Sequence, residues 1–262
     1  MQAKKSLGQH FLKDQHALCA IVVASKVLPD DVVLEIGPGR GALTQKILDT
    51  GAHVVAIEKD DELFMYLKTH FASYAESGQL VLIHGDILEI SLEQLGLHAH
   101  GFVVVANIPY YITGHIIRLL LSGSIQPKAL TLLVQKEIAQ RIVVKDNKQS
   151  MLSISVSVFG TPRMAGIIRA GAFIPPPKVD SAILVVEDIS RDFFDGIDQE
   201  KFFIFLKEHF MHKRKQLAGS GLIDQHAFQV CDVLPTARPE QLSKDSWRCL
   251  YQCVYAKEKG DN

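Results

Sequence analysis

The stretch 32-VVLEIGPGRGALT-44 decides the fold. An apolar run of strand length leads directly into a turn with three glycines, Gly37, Gly39 and Gly41, and an amphipathic segment follows. A buried strand, a glycine-rich turn and a helix in this order open a parallel α/β sheet. Because glycine has no side chain, a ligand can approach the backbone of such a turn closely.

Apolar runs of similar length follow at intervals that leave room for helices. Their near-continuous hydrophobicity is typical of strands that are buried on both faces of a parallel sheet. We therefore expect a doubly wound, Rossmann-like α/β fold. The predicted parallel strands are 32–36, 53–58, 80–86, 102–107 and 130–135, and the predicted helices are 14–27, 42–50, 61–73, 114–122 and 135–145.

The second half of the chain changes character. Two runs, 152–160 and 181–188, follow each other without a convincing helix between them and predict an antiparallel edge pair. Between them, 174-IPPPK-178 predicts a stiff extended loop, because proline fixes φ and has no backbone donor. After residue 188 the strand pattern ends, so we predict two domains, 1–188 and 189–262. Helices in the second domain are predicted at 199–217, 224–233 and 244–256.

Length and composition are those of a globular protein with one sizeable core and a smaller appendage: 262 residues, 47% hydrophobic and 22% charged. The apolar runs fall far short of the roughly 18 residues needed to cross a bilayer, so we predict no membrane segment. The chain opens without a charged and apolar leader, and four scattered cysteines are too few to staple a fold of this size. We therefore expect a cytoplasmic protein with reduced cysteines.

The formal net charge of −1 conceals a strong asymmetry along the chain. Residues 30–110 carry 4 Lys/Arg against 12 Asp/Glu, whereas residues 111–178 carry 9 against 2 and residues 1–29 carry 4 against 1. If the two basic segments share a face, the protein has a basic side despite its neutral total. Ordinary solvated charge in blocks is the alternative interpretation.

Two acids follow the glycine turn at the ends of the next strands. Glu58 ends the second strand, where a carboxylate accepts hydrogen bonds from ribose hydroxyls. The turn also satisfies the dehydrogenase pattern G-x-G-x-x-G/A, so by itself it fits a nicotinamide cofactor and S-adenosylmethionine equally. Pro38 removes an amide donor from the turn, and Asp86 after the third strand suits an adenine amino group; both favour S-adenosylmethionine, which has no pyrophosphate. Helix N-caps are the alternative role for the two acids.

The fourth strand ends in 107-NIPY-110, at the carboxyl edge where open α/β sheets bind their ligands. The amide oxygen of Asn107 and a backbone carbonyl, of Ile108 or Pro109, suit the two N–H groups of an aromatic exocyclic amine. Such acceptors favour a pyramidal, more nucleophilic nitrogen. Pro109 holds the carbonyl rigidly, and Tyr110 offers a ring on which an unstacked base can lie. A turn with a core tyrosine is the alternative interpretation.

These residues belong to a series of motifs that resembles the ribosomal RNA adenine dimethyltransferases. The motifs occur in that family's order and cover most of the chain. They are 5-KSLGQHFL-12, 35-EIGPGRGALT-44, 58-EKD-60, 85-GDIL-88, 107-NIPYYIT-113, 173-FIPPPKVDSA-182 and 209-HFMHKRKQL-217.

The resemblance implies transfer of two methyl groups from S-adenosylmethionine to N6 of each of two adjacent adenosines near the 3′ end of small-subunit (16S) ribosomal RNA. It implies a methyltransferase domain at 1–188, an RNA-binding domain at 189–262, and a monomer that acts within an assembling 30S particle. The cofactor contacts that it implies, with the second turn glycine added, are His10, Leu12, Gly37, Gly39, Glu58, Asp86 and Asn107.

The resemblance also implies that Asn107, Pro109, Tyr110 and Phe173 form the catalytic set, with Phe173 on the face of the target adenine opposite Tyr110. A buried core phenylalanine is the alternative interpretation of Phe173, and Tyr111 is the alternative for that second aromatic. Two positions depart from the bacterial family: His10 stands where asparagine is common, and residue 108 is isoleucine where leucine is more usual.

A basic front for RNA is predicted on the C-terminal helix 199–217. Lys213, Arg214 and Lys215 are consecutive, so they spread over about 200° of a helix surface. They would contact phosphates together with a set of dispersed cations. That set is Lys4, Lys5, Lys13, Arg118, Lys136, Arg141, Lys145 and Lys148.

We predict no metal site. Cys249 and Cys253 are one helical turn apart, but no Cys or His pair with zinc-finger spacing lies near them in sequence, so core packing is their predicted role. Two other functions remain open: a large-subunit adenine methyltransferase of the macrolide-resistance type and a non-catalytic ribosome-assembly factor. Pro38, the 41-GALT-44 segment and the PPPKVDSA segment favour the small-subunit enzyme.

Overall fold

The computed structural model describes residue 4 and residues 8–144, 148–211 and 215–256. No helix in these ranges is both long and apolar enough to cross a membrane. Strands β1 to β9 are Phe11–Leu12, Val32–Ile36, His53–Glu58, Leu80–His84, Phe102–Asn107, Ala129–Gln135, Thr161–Ile168, Phe173–Ile174 and Ser181–Glu187. Helices α1 to α10 are Gln15–Ser25, Ala42–Leu48, Asp61–His70, Ala72–Glu76, Thr113–Ser122, Lys136–Val143, Met151–Ser157, Gln199–Met211, Gln225–Val230 and Lys244–Ala256.

Seven strands form one sheet in the order β4-β3-β2-β5-β6-β9-β7. Strands β2 to β6 are parallel, as their apolar runs predict, and the core of β5, from Phe102 to Ala106, is at most 3% exposed. The chain moves outward from β2 to β4 and then returns to the other side of β2 with β5. The carboxyl ends of β2 and β5 therefore lie at the switch point where doubly wound sheets bind ligands. The predicted α/β class is confirmed.

The antiparallel edge of the sheet differs from the prediction. β9 runs antiparallel to both β6 and β7, but the predicted partner strand 152–160 is wrong, since this segment lies mostly in helix α7. Ser150 begins α7 with a reciprocal cap: its hydroxyl accepts from the Ser153 N–H at 3.1 Å, and its N–H donates to Ser153 Oγ at 2.7 Å. This cap and helical packing outweigh the strand preference of alternating β-branched residues.

The true edge strand, β7, escapes detection because of two residues. Pro162 has no backbone donor, and proline is tolerated at a sheet edge, where β7 lies. The ladder with β9 shifts its register between Met164 and Gly166, as in a β-bulge. A proline and a glycine in one short run conceal the strand from pattern analysis.

Contacts divide the chain into two compact units. The first, residues 1–139 and 160–190, contains the strands. The second, residues 140–159 and 191–262, is helical and buries Trp247, whose ring meets that of Phe205 edge-on at 5.9 Å. The predicted division at residue 188 differs from these units in residues 140–159, which group with the C-terminal helices.

The described part of helix α8 is Gln199–Met211. Lys215 lies in a bend and a short 3-10 helix, Leu217–Ser220, follows, so the prediction of one helix through residue 217 is wrong. Lys213 and Arg214 lie outside the described residues, as do Lys5 and Lys145. Lys215 does not belong to a continuous basic helix.

The cysteines also correct the prediction. Cys231, the C-cap residue of α9, forms a disulfide with Cys249 on α10, so the expectation of a fully reduced chain is wrong for this pair. Cys253 lies one turn further along α10, with its Sγ 3.8 Å from that of Cys231. Cys19 on α1 is an exposed free thiol.

Candidate active site

The glycine turn between β2 and α2 depends on its backbone geometry. Gly37, Gly39 and Gly41 have φ values of +68°, +62° and +78°, in the left-handed region that favours glycine. The Gly37 N–H donates to the Ile57 carbonyl at 2.9 Å, which ties the turn to β3. A Cβ on Gly41 would overlap the Phe71 ring, whereas a Cβ on Gly37 would meet nothing within 4 Å. Packing therefore requires Gly41, and Gly37 faces open space.

Glu58 is fixed at the end of β3 beside this turn. Its Oε2 accepts from the Gly39 N–H at 3.0 Å and its Oε1 from the Asp60 N–H at 2.9 Å. Burial raises the pKa of Glu58, and these backbone hydrogen bonds oppose the rise. Each carboxylate oxygen has a second lone pair, so the group can still accept from ribose hydroxyls.

Asp86 lies in the loop after β4. Its Oδ1 accepts from the Leu88 N–H at 3.0 Å and its Oδ2 from Lys59 Nζ at 2.7 Å. Burial acts to raise the pKa of Asp86, but the hydrogen bonds from Lys59 and Leu88 outweigh it, and the net pKa is lowered. Asp86 is therefore an anionic acceptor. The Lys59 side chain is 58% exposed and has room to turn away when an amino group donates to Asp86.

Glu35 is a site residue that the sequence analysis missed. It lies in β2, lines the same cleft and is 1% exposed, and its Oε2 has no hydrogen-bond partner among the described residues. Burial raises the pKa of Glu35 to about 8; the nearby Thr44 hydroxyl lowers it and the charge of Glu58 raises it. An acid inside the apolar run 32-VVLEI-36 was the available clue, because a buried carboxyl group needs a partner.

A short N-terminal strap, residues 8–12, lines the cleft. Its strand β1 pairs antiparallel with β8, and Leu12 lies opposite Phe173. His10 Nδ1 donates to the Pro175 carbonyl at 2.7 Å, so the strap is tied to the proline loop by a side chain as well as by backbone. The predicted cofactor residues His10 and Leu12 thus lie on an element that belongs to the cleft.

Asn107 ends β5 at the switch point of the sheet. Its Nδ2 donates to the His10 carbonyl oxygen at 3.3 Å. Because the amide nitrogen is used in this contact, Oδ1 is left as the acceptor of the side chain. The strap therefore fixes the orientation of the Asn107 amide.

Tyr110 begins the short 3-10 helix Tyr110–Ile112 that follows Pro109. Its hydroxyl lies 2.7 Å from Ser181 Oγ at the start of β9, and Ser181 is fully buried. Its ring stacks loosely on that of His10, with centroids 6.1 Å apart and planes at 23°. Burial raises the pKa of Tyr110, so its hydroxyl stays neutral. Tyr110 lines the cleft, and Ser181 is a partner that the sequence analysis missed.

Phe173 does not have the predicted position. Its side chain is 1% exposed and belongs to the hydrophobic core behind β8. The ring does not line the cleft, so the predicted role of Phe173 as a second stacking surface is not supported by the structure. Tyr111, the alternative aromatic, lines the cleft and is 61% exposed.

One cleft brings the remaining predicted site residues together. Its cavity volume is about 140 Å³, and it opens to solvent. The predicted residues that line it are His10, Leu12, Gly37, Gly39, Glu58, Asp86, Asn107, Pro109 and Tyr110.

The cleft fits S-adenosylmethionine. Beside the glycine turn, Glu35 Oε2 has no hydrogen-bond partner among the described residues and can accept a hydrogen bond from a cationic amino group. Glu58 and Asp86 supply acceptors suited to ribose hydroxyls and to an adenine amino group. A doubly wound sheet with these acids, and with an Asn-x-Pro-Tyr turn on the adjoining strand, defines the class of S-adenosylmethionine-dependent methyltransferases that act on an amine.

Comparison with known proteins gives the family. The sequence profile described as ribosomal RNA adenine dimethylase matches residues 1–254. Two curated relatives are named ribosomal RNA small subunit methyltransferase A. That of Dehalococcoides mccartyi (strain CBDB1) is 36% identical over 95% of this chain and 88% of its own length. That of Geobacter metallireducens is 34% identical over 98% of this chain and 97% of its own length.

Solved structures agree. A dimethyladenosine transferase from Plasmodium falciparum superposes with a TM-score of 0.79 at 25% identity, over 95% of this chain and 98% of its own. The 23S rRNA methyltransferase ErmE has a TM-score of 0.73 at 22% identity, over 93% of this chain and 99% of its own, which shows a shared fold alone. The chain belongs to the ribosomal RNA adenine dimethylase family and is an S-adenosylmethionine-dependent enzyme. The resemblance in its motifs is confirmed.

Proposed function

We propose that this protein transfers two methyl groups to N6 of each of two adjacent adenosines near the 3′ end of small-subunit ribosomal RNA. The observation that carries the proposal is the Asn107 amide, whose nitrogen donates to the His10 carbonyl and whose oxygen is thereby left to accept from an amine in the cleft. Relatives named for the small subunit, at 33–36% identity, support the choice of RNA.

The target amine needs help because its lone pair is delocalised into the adenine ring. Two acceptors for its N–H groups favour a pyramidal, more nucleophilic nitrogen. Asn107 Oδ1 is the first. The Pro109 carbonyl already accepts from the Ile112 N–H at 3.2 Å, so the Ile108 carbonyl is the better second acceptor. Ile108 is 2% exposed, which holds its backbone in place.

The adenine is held by stacking on Tyr110. Stacking of a base on an aromatic ring contributes roughly 1–3 kcal/mol. The hydrogen bond between Tyr110 and the buried Ser181 fixes the ring at the edge of the cleft, so the platform exists before RNA binds.

No general base is required. The bound cofactor supplies a methyl group on a positively charged sulfur, and the amine that attacks this methyl group is neutral. The ammonium that results is acidic enough to lose its proton to water. The contribution of the protein is therefore orientation and placed acceptors, which are large terms in catalysis.

RNA binding is assigned to exposed cations and to the C-terminal domain, residues 189–262. Several cations of the basic segment are already paired within the protein: Lys128 with Asp31, Arg163 with Glu187 and Lys148 with Glu240. Cations of that segment with no ion pair among the described residues are the candidates for phosphate contacts. They are Arg118, Lys136, Arg141, Arg169 and Lys178. We further propose that the enzyme acts in the cytoplasm as a monomer on an assembling 30S particle.

The test is methylation of ribosomal precursors from a strain that lacks this activity. We expect the purified protein to methylate small-subunit precursors and not large-subunit precursors. Primer extension should then stop at two adjacent adenosines near the 3′ end, because dimethyladenosine blocks reverse transcription. The Asn107→Ala protein is the matched blank.

Methylation of large-subunit RNA alone would identify the macrolide-resistance type of activity instead. Binding to small-subunit precursors with no methylation under saturating cofactor would identify an assembly factor. Either result contradicts the proposal.

A further inference from the structure

The second unit holds a group of three cysteine sulfur atoms that the methyltransferase reaction does not use. Cys231 caps α9, while Cys249 and Cys253 lie four residues apart on α10. The three Sγ atoms lie within 4.8 Å of one another, and each cysteine is partly exposed. A disulfide needs two cysteines, so the Cys231–Cys249 bond does not explain why a third thiol stands beside it.

Helix geometry explains how the third thiol reaches this position. Residues i and i+4 lie on one face of a helix, so Cys249 and Cys253 both point toward the end of α9. The neighbouring Leu250 and Tyr251 are buried and fix the rotation of α10. Two helices of the same compact unit thus hold three sulfur atoms in place before any ligand binds.

The spacing suits a thiophilic metal ion. In a tetrahedral zinc site with Zn–S bonds near 2.3 Å, neighbouring sulfur atoms are about 3.8 Å apart. The Cys231 and Cys253 sulfur atoms already have this separation, 3.8 Å, whereas Cys231 and Cys249 are joined by the disulfide and reach it only after reduction. Partial exposure of all three cysteines leaves room for a water molecule as the fourth ligand.

We propose that Cys231, Cys249 and Cys253 form a three-thiolate site that binds one Zn²⁺ ion when the cysteines are reduced. The Cys231–Cys249 disulfide is the oxidised, metal-free state of the same site. A dithiol reduces this disulfide to two thiols by giving up two electrons and two protons and becoming a disulfide itself; a phosphine gives up two electrons and becomes a phosphine oxide, with water supplying the oxygen and the two protons. Binding of Zn²⁺ to the three thiols then forms three Zn–S bonds and releases three protons. The metal links α9 to α10.

The experiment uses the full-length protein, reduced with a phosphine without oxygen and freed of metal with a chelator. Alkylation under denaturing conditions should first show four free thiols. Co²⁺ then serves as a spectroscopic probe, and we expect one ion per chain with thiolate-to-cobalt charge transfer and the visible bands of tetrahedral cobalt. Zn²⁺ should displace it, raise the midpoint of thermal unfolding and release about three protons.

Two single substitutions separate the site from bystander thiols. Cys253→Ser should lower Zn²⁺ affinity by at least about 100-fold. This loss exceeds the roughly 10–100-fold loss that follows when a residue that only hydrogen-bonds to a metal ligand is mutated. Cys19→Ser, which changes the exposed thiol on α1, should leave affinity unchanged. Circular dichroism of both proteins verifies folding, and Cys249→Ser repeats the test at a second ligand.

Three results would overturn the proposal. Metal binding with the same affinity in wild type and Cys253→Ser removes the third thiol from the site. A failure of reduced wild type to bind Zn²⁺ or Co²⁺ removes the site altogether. A mixture of Cys231–Cys249 and Cys231–Cys253 disulfides without metal binding would show thiol exchange instead.

Discussion

Two walls of the cleft differ in what holds them in place. The cofactor wall comprises Gly37, Gly39, Glu58 and Asp86, and the base wall comprises Asn107, Pro109 and Tyr110. Glu58 and Asp86 accept from the backbone N–H groups of Asp60 and Leu88, each two residues away, and Glu58 also accepts from the Gly39 N–H, 19 residues away.

The base wall depends on partners far along the chain: the His10 carbonyl for Asn107 and the Ser181 hydroxyl for Tyr110. The contacts that hold the cofactor wall span 2 to 27 residues of sequence, whereas those that hold the base wall span 71 to 97. The base wall exists only when the strap and β9 are in place, so we expect changes in the two walls to have different consequences.

The largest effect is expected at Glu35, which is buried in β2 beside the cofactor wall. Its folded-state pKa of about 8 exceeds the unfolded value, so the folded chain binds the extra proton and loses stability as the pH rises from about 4.5 to 8. Glu35→Gln should remove this loss. The free energy of unfolding of Glu35→Gln minus that of wild type should therefore grow by on the order of 4 kcal/mol between about pH 5 and pH 9.

Urea unfolding without cofactor measures this difference. Glu137→Gln, at an exposed glutamate, is the matched control and should follow wild type. Parallel pH profiles for wild type and Glu35→Gln would show that Glu35 is ionised in the folded protein over the whole range.

Asn107→Ala should come next and should act mainly on the chemical step. Loss of a placed acceptor is expected to cost on the order of 10²–10³ in rate, about 3–4 kcal/mol, with folding and most RNA affinity preserved. Single-turnover assays with saturating cofactor and RNA measure the rate. A near wild-type rate would show that 107-NIPY-110 is a structural turn.

Asp86→Ala should weaken S-adenosylmethionine binding by roughly 1–3 kcal/mol, because an adenine amino donor is left without its acceptor. Titration calorimetry measures the affinity. Asp61→Ala, at a side chain that is 86% exposed, is the control and should bind normally. Equal affinity of Asp86→Ala and wild type would remove Asp86 from the cofactor wall.

The smallest effect is expected for the contact between Tyr110 and Ser181. Tyr110→Phe and Ser181→Ala should each weaken RNA retention by about 0.5–1.5 kcal/mol, since the ring remains but is no longer fixed. The two changes break one hydrogen bond, so the double variant should be no worse than either single variant. Tyr110→Ala should be far more damaging, because it removes the platform. The KM for RNA measures these losses. If the loss in the double variant equals the sum of the two single losses, Tyr110 and Ser181 have separate roles.

The same difference between the walls explains what the sequence could predict. The strands β2 to β6 and the cofactor acids were predictable because an apolar run, a glycine turn and an acid at a strand end are local patterns. Glu35 belonged to such a run and was still missed, because its importance comes from burial without a partner.

Contacts between distant residues were beyond local patterns. Ser181 lies 71 residues after Tyr110, and a single serine near a strand start carries no sign of its partner. The position of Phe173 also depends on a contact between residues distant in sequence, because Phe173 pairs with Leu12 in antiparallel strands. The strand predicted at 152–160 failed because a serine cap outweighed residue preference.

The bond between the Asn107 amide and residue 10 has a consequence for mutational tolerance. The acceptor is a backbone carbonyl, which every amino acid supplies, so the orientation of the catalytic amide is insensitive to the side chain at that position. The His10 imidazole forms a separate hydrogen bond with the Pro175 carbonyl. We therefore expect substitutions at residue 10 to leave the orientation of the Asn107 amide unchanged, provided that the path of the strap is kept.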